Sequence, residues 1–180
     1  MKMAARTFVF FVRHAALCRP LSQPSGRLKL ARDCADIERI VSQTICGGEA
    51  AALLGAPYRA LRAFRPLLFV EPPAAIESSP LLAELPVAVV LHHLYARAPE
   101  ALLSPHVQSG LSPAQYSRWL DQHSERDLWE RVQSSLDSYF NKVMGRNAIV
   151  CFPLQPLGVF AWNVALATLQ IRSAGGFARL

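Results

Sequence analysis

Between Arg27 and Cys46 the apolar residues Leu30, Cys34, Ile37, Val41 and Ile45 recur at steps of four, three, four and four, while Asp33, Asp36, Glu38 and Arg39 take positions between them. A helix, with about 3.6 residues per turn, gathers such positions on one face; a strand, whose faces alternate, scatters them over both. Strand-like alternation is absent before residue 147. The expected fold class is therefore all-α, a helical bundle of about six helices.

The other helices follow from the same spacing and from proline and glycine punctuation. Residues 4–18 are apolar nearly all round, with Phe8, Phe11, Val12 and Ala15 at helical spacing. Arg19-Pro20 ends that stretch, because the residue before a proline is pushed out of the α region. Ser22 to Gly26 reads as a polar loop. Gly47-Gly48 closes the helix of Arg27–Cys46. Glu49 to Val70 reads as a second helical stretch broken or bent at Pro57, with Leu54, Tyr58, Leu61 and Phe64 or Arg65 in line before Pro66.

Ser79-Pro80 has the residue types of an N-cap and a first helical position. Leu85–Arg97 follows, with Pro86 at its start and Pro99 as its stop. Ser112-Pro113 opens a short helix to about Gln122. Ser124 with Asp127 three residues on resembles a capping box. The helix it opens places Leu128 or Trp129, Val132, Leu136, Phe140 and Val143 on one side before Gly145. The organisation expected is an N-terminal helical subregion (1–70), a Pro-rich linker (71–80), a C-terminal helical subregion (81–145) and an apolar tail (146–180).

Charge is unevenly spread. Of the net +6, residues 1–77 hold eleven Lys/Arg against six Asp/Glu. These charges are dispersed among Ala and Leu with no run of four. They suit a solvated helix surface better than a nucleic-acid face, for which no recognition module is present. Cys18, Cys34, Cys46 and Cys151 form no CxxC pair and read as buried thiols of a reducing compartment. Lys2 and Arg6 precede the apolar run Thr7–Val12, but Arg13 and His14 interrupt it after six residues. A signal peptide needs an apolar core of about 7–15 residues.

The search for chemistry finds no constellation. Adjacent side chains on a helix point about 100° apart, so His92-His93 does not chelate one ion, and no CxxC or HxxxH spacing occurs. There is no GxSxG elbow and no phosphate-binding glycine loop. His106 and His123 stand in expected loops, where capping and surface roles are common. No enzyme activity, cofactor or metal is expected. Trp119, Trp129, Tyr95, Tyr116 and Tyr139 cluster in the second half, as core or as interface anchors. Residues 147–171 carry no charged side chain, long enough to cross a bilayer, although Pro153, Pro156 and Gly158 interrupt the first third.

Several separated stretches, in order, resemble one family. They are FVRHAAL (11–17) with RPL (19–21), RLKLARD (27–33), LRAFRPLL (61–68), LPVAVVLHHLYARAPE (85–100), SPH (104–106) and GLSPAQYSRWLDQH (110–123). Over about residues 8–143 the chain resembles the C-terminal region of subunit 5 of the conserved oligomeric Golgi complex. The resemblance implies a cytosolic, peripheral subunit of a vesicle-tethering complex acting in intra-Golgi retrograde transport, built as helical rods and partnered above all by subunit 7. No nucleic acid and no small-molecule substrate are implied. Within Leu85–Asp121 the candidate partner contacts are His92, His93, Tyr95, Tyr116 and Trp119. The family's chain extends upstream of the match and residues 147–180 look unlike its ending, so a truncated form or a fragment is expected. The alternative reading is a small membrane-anchored helical protein held by residues 147–171.

Overall fold

A computed structural model describes residues 1–18, 21, 23–70, 79–97 and 103–134. All regular structure among them is helical. In chain order the α-helices are α1 (Lys2–Leu17), α2 (Pro24–Thr44), α3 (Ala50–Leu54), α4 (Ala56–Leu67), α5 (Val87–Arg97), α6 (Pro105–Gln108) and α7 (Pro113–Gln122), with a 3₁₀ turn at Pro80–Glu84 before α5. Residues 125–134 are also helical. The chain forms two compact units, Met1–Arg97 and Ala98–Leu180.

In the first unit α1 packs on α4 and α5, and α4 also meets α2, α3 and the 3₁₀ turn. The α1 residues turned inward are Ala4, Phe8, Val12, Ala15 and Ala16, a stripe at helical spacing. From α4 come Ala60, Leu61, Ala63, Phe64 and Leu67. α5 is buried all round, Val89 to Ala96 without exception. A helix apolar on every side has to be enclosed, so it belongs with α1. Residues 71–78, most of the expected linker, lie outside the described residues.

The α2 stripe is inward at Cys34 and Val41, half-buried at Leu30 and Ile37, and exposed at Ile45 just past the helix end. Burial pushes the Cys34 thiol up to about 12, with Asp33 and Glu38 adding to the effect and Arg65 opposing it. α2 starts earlier than its periodicity suggests. Pro24 occupies its first turn, where a missing N–H costs nothing because that group has no helical acceptor. Glu38 ties α2 to α4. It accepts from Tyr58 Oη at 3.0 Å and from Arg65 Nη1 at 3.3 Å, with Arg62 Nε 3.7 Å away.

The stretch Glu49–Val70 breaks at Gly55 and not at Pro57. Gly55 has φ +56° and ψ −122°, a conformation that a Cβ would strain. Pro57 then falls in the first turn of α4, where it fits the helix. Pro66 does not stop α4 beforehand but lies in its last turn, and the helix runs to Leu67. Only the single backbone bond that Pro66 cannot donate is lost there. Ser79 caps as expected, its Oγ accepting from Leu81 N at 3.3 Å, but the turn it opens is 3₁₀.

In the second unit Ser112 and Gln115 form a reciprocal capping box. Gln115 N donates to Ser112 Oγ at 3.3 Å and Ser112 N to Gln115 Oε1 at 2.9 Å. Ser124 and Asp127 repeat it, with Ser124 N donating to Asp127 Oδ2 at 2.8 Å. Those Ser124 bonds hold the exposed Asp127 carboxyl below its ordinary range. Leu128 and Val132 are the buried side of residues 125–134, with Trp129 half-buried. Leu136, Phe140, Val143 and Gly145 lie outside the described residues, as does segment 147–171. No described helix is long and apolar enough to cross a membrane.

Candidate partner interface

The five candidate contacts fall into two groups, one in each unit. His92, His93 and Tyr95 lie on α5, whose apolar sequence goes with burial on every side. His92 and His93 are 0% exposed and Tyr95 is 1% exposed. The His93 ring meets the edge of Phe64 at 6.1 Å between centroids and 81° between planes. Neither ring nitrogen of His93 has a hydrogen-bond partner among the described residues. Burial, with the charges of Arg97 and Arg27 beside it, lowers its proton affinity to a pKa of about 3. His93 is thus a neutral core ring that shapes α5 from within.

In the second unit the capping box starts α7 at Pro113 and so fixes which turn each aromatic occupies. Tyr116 and Trp119 are one turn apart and neighbours on the surface of a helix. Their rings stack at 5.8 Å and 9°. Tyr116 is 0% exposed, whereas Trp119 is half-buried. His123 lies four residues on and stacks on Trp119 at 4.1 Å and 20°. Its Nδ1–H donates to the Trp119 carbonyl at 2.8 Å, which closes the end of α7. Arg131, from the next helical segment, places its guanidinium 4.4 Å from the Trp119 ring centre. His106 approaches Tyr116 at 6.4 Å and exchanges a 2.9 Å hydrogen bond with Ser104 Oγ.

The result is an aromatic ladder, Tyr116–Trp119–His123, with a cation over its middle ring. Indole is the best π-face for a guanidinium. Such a ladder holds a large side chain in one orientation, which lowers the entropy lost when a partner covers it. The sequence marks Tyr116 and Trp119 but not the other two members. His123 was legible in principle from its i+4 spacing to Trp119; Arg131 joins through the turn at His123–Ser124, and no spacing rule reports that contact.

Among the described residues no group of three His, Cys, Asp or Glu side chains could hold a metal ion. One open groove of about 340 Å³ lies in the first unit, lined by Pro24, Arg27, Leu28 and Phe69. Among the described residues it offers a single polar side chain and no convergent set for chemistry.

No family model and no solved structure matches the chain. Three relatives do. Conserved oligomeric Golgi complex subunit 5 of Arabidopsis thaliana is 47% identical over 156 residues, 87% of this chain. The proteins of the same name from Mus musculus and Drosophila melanogaster are 35% and 29% identical, each over 93% of this chain. A share of 93% is reached only by running into residues 147–180, the tail set apart above. The chain spans about a fifth of these relatives, 18 to 22% of their length. By sequence, this chain belongs to the conserved oligomeric Golgi complex subunit 5 family, as the counterpart of about one fifth of its relatives' length.

Proposed function

We propose that this chain is a non-catalytic helical interaction segment of a Golgi vesicle-tethering complex, acting in intra-Golgi retrograde transport. The observation that carries the reading is similarity along nearly the whole chain to proteins named as subunits of the conserved oligomeric Golgi complex. Its partners are other subunits of that complex, subunit 7 first among them. Its place is the cytosolic face of the Golgi membrane, held peripherally. Its mechanism is assembly: helices bury apolar stripes against neighbouring rods, and aromatic anchors fix the register. Of the five candidate contacts, Trp119 is the side chain with surface to offer, so it is the proposed direct contact. His92, His93, Tyr95 and Tyr116 act by holding α5 and α7 in shape.

Immunoprecipitation from source cells with an antibody against residues 85–134, read by mass spectrometry, tests this. Recovery of Golgi tether subunits is expected, and Trp119→Ala should weaken it while far-ultraviolet circular dichroism stays unchanged. Capture of the chain without any tether subunit would remove the reading. Carbonate extraction separates the rival reading, since a chain anchored through residues 147–171 stays with the membrane pellet and a peripheral one leaves it.

A further inference from the structure

The inward side of α1 is accounted for by Ala4, Phe8, Val12, Ala15 and Ala16. The outward side has a pattern of its own. At about 100° per residue, Met3, Phe10 and Leu17 form an apolar line opposite the buried stripe. Lys2, Arg6 and Arg13 form a second line beside it. Met3 is 83% exposed, Lys2 and Arg6 are exposed, and Phe10, Arg13 and Leu17 are half-buried. The Arg6 guanidinium lies 4.2 Å from the Phe10 ring centre, so the cationic and apolar lines share one surface. His14 completes that side, its Nδ1–H donating to the Phe10 carbonyl at 2.7 Å. α1 contains no Asp or Glu.

We propose that this outward side of α1 is a contact for an anionic lipid surface. The Met3–Phe10–Leu17 line enters the headgroup layer while the cations of Lys2, Arg6 and Arg13 meet lipid phosphates. The pattern itself selects a bilayer over another helix. Taken as a helix–helix seam, Met3, Arg6, Phe10, Arg13 and Leu17 fall on alternating steps of three and four, which puts arginine at every second core position. A dry seam would have to desolvate both guanidiniums. At a bilayer surface the apolar layer and the phosphates lie side by side, and long cationic side chains reach from one to the other. Charge complementarity points the same way, since every charged side chain that α1 itself carries on this face is cationic. The inference does not rest on membership of the tethering complex.

The test is flotation of the purified chain with phosphatidylcholine vesicles, with and without phosphatidylserine, at low and high salt. Binding should require phosphatidylserine and weaken as salt rises. The double variant Lys2→Gln, Arg6→Gln should bind about 25-fold more weakly, at roughly fivefold per cation. Both side chains are exposed, and circular dichroism checks that the fold is kept. Equal binding to neutral and anionic vesicles, or no binding by the unmodified chain, would overturn the proposal without any variant. So would unchanged vesicle binding by the double variant, including the case in which that variant instead loses tether subunits on immunoprecipitation. The last outcome would assign the face to an acidic protein partner. Immunoprecipitation of the unmodified chain reports on the complex separately.

Discussion

Replacing His93 by Leu should stabilise the chain, and the gain should be largest in mild acid. His93 is 0% exposed, and neither ring nitrogen has a hydrogen-bond partner among the described residues. A buried polar atom left unsatisfied costs about 1–3 kcal/mol. Leu is close to His in size, and swaps of that kind cost under about 1.5 kcal/mol in a packed core. With two nitrogens relieved and up to about 1.5 kcal/mol lost in repacking, the net expectation at neutral pH is a gain of at least about 0.5 kcal/mol. The second part concerns protons. In the folded chain the His93 pKa falls from its ordinary 6.5 to about 3, first through burial and then through Arg97 and Arg27. Between those two values the unfolded chain binds a proton that the folded chain excludes, so stability rises with pH there. It is intact above about pH 6.5 and drains away as the pH falls toward 3. From pH 7 to pH 5 the loss assigned to this one ring is about 2 kcal/mol.

Urea unfolding of both proteins at pH 7 and pH 5 measures the double difference and removes the titration of every other group. The unmodified chain should lose about 2 kcal/mol more than His93→Leu over that interval. An equal loss in both would show that the folded chain accepts the proton, and the argument from burial would fail. A variant less stable at pH 7 by more than about 2 kcal/mol would show the opposite fault, namely ring nitrogens that are hydrogen-bonded in solution.

Glu38→Gln should cost about 1–3 kcal/mol in thermal or urea unfolding, since Tyr58 Oη and Arg65 Nη1 both donate to a carboxylate whose side chain is only 17% exposed. A change below about 0.5 kcal/mol would place that cluster among the surface pairs that contribute little. Ser112→Ala should remove about 1 kcal/mol by undoing the capping box and should speed amide exchange in the first turn of α7. Protection unchanged there would show that packing, not the cap, holds the turn. Thiol labelling of the native chain with peptide mapping should modify the exposed Cys18 well before Cys34, which is buried with its thiol pushed up to about 12. Equal rates at the two would mean that α2 opens as readily as the end of α1.

Helix type was legible wherever an apolar stripe met a sharp signal. Ser112-Pro113 marked the start of α7 and Gln122 its end, because proline at the first position and a serine cap before it satisfy the same orphan backbone groups. Ser124 and Asp127 were readable for the same reason. The misses occurred where a single residue can serve two backbone roles. Pro24 reads as loop and Pro57 as kink, yet both lie in first turns. Gly55 carries the break between α3 and α4, and a glycine within an alanine- and leucine-rich stretch does not announce a positive φ. Long-range burial was the least legible. The α2 stripe predicted a buried face, but only Cys34 and Val41 are enclosed, since the partner that covers a stripe is not encoded in its period.

That limit also decides how losses of binding should be interpreted. A histidine pair and a cluster of tyrosines suggest contact chemistry when seen in a line of text, because these residues are common in interfaces. Enclosure changes the meaning of four of the five. A side chain that is 0 to 1% exposed, as His92, His93, Tyr95 and Tyr116 are, can reach a partner only after its helix moves. A variant there that loses the partner should therefore lose stability in step with it. Trp119 differs because its ring is held on three sides, by Tyr116, His123 and Arg131, while part of its surface stays open. Trp119→Ala leaves the buried Tyr116 in place, so binding and stability should separate at this position. Arg131→Gln sharpens the distinction: it removes the cation over the indole, at a cost of about 0.5–1 kcal/mol for an exposed pair, and leaves the aromatic ladder intact. If partner recovery falls with Trp119→Ala and holds with Arg131→Gln, the ring itself is the anchor. If both fall alike without loss of fold, the partner recognises the ring and cation together.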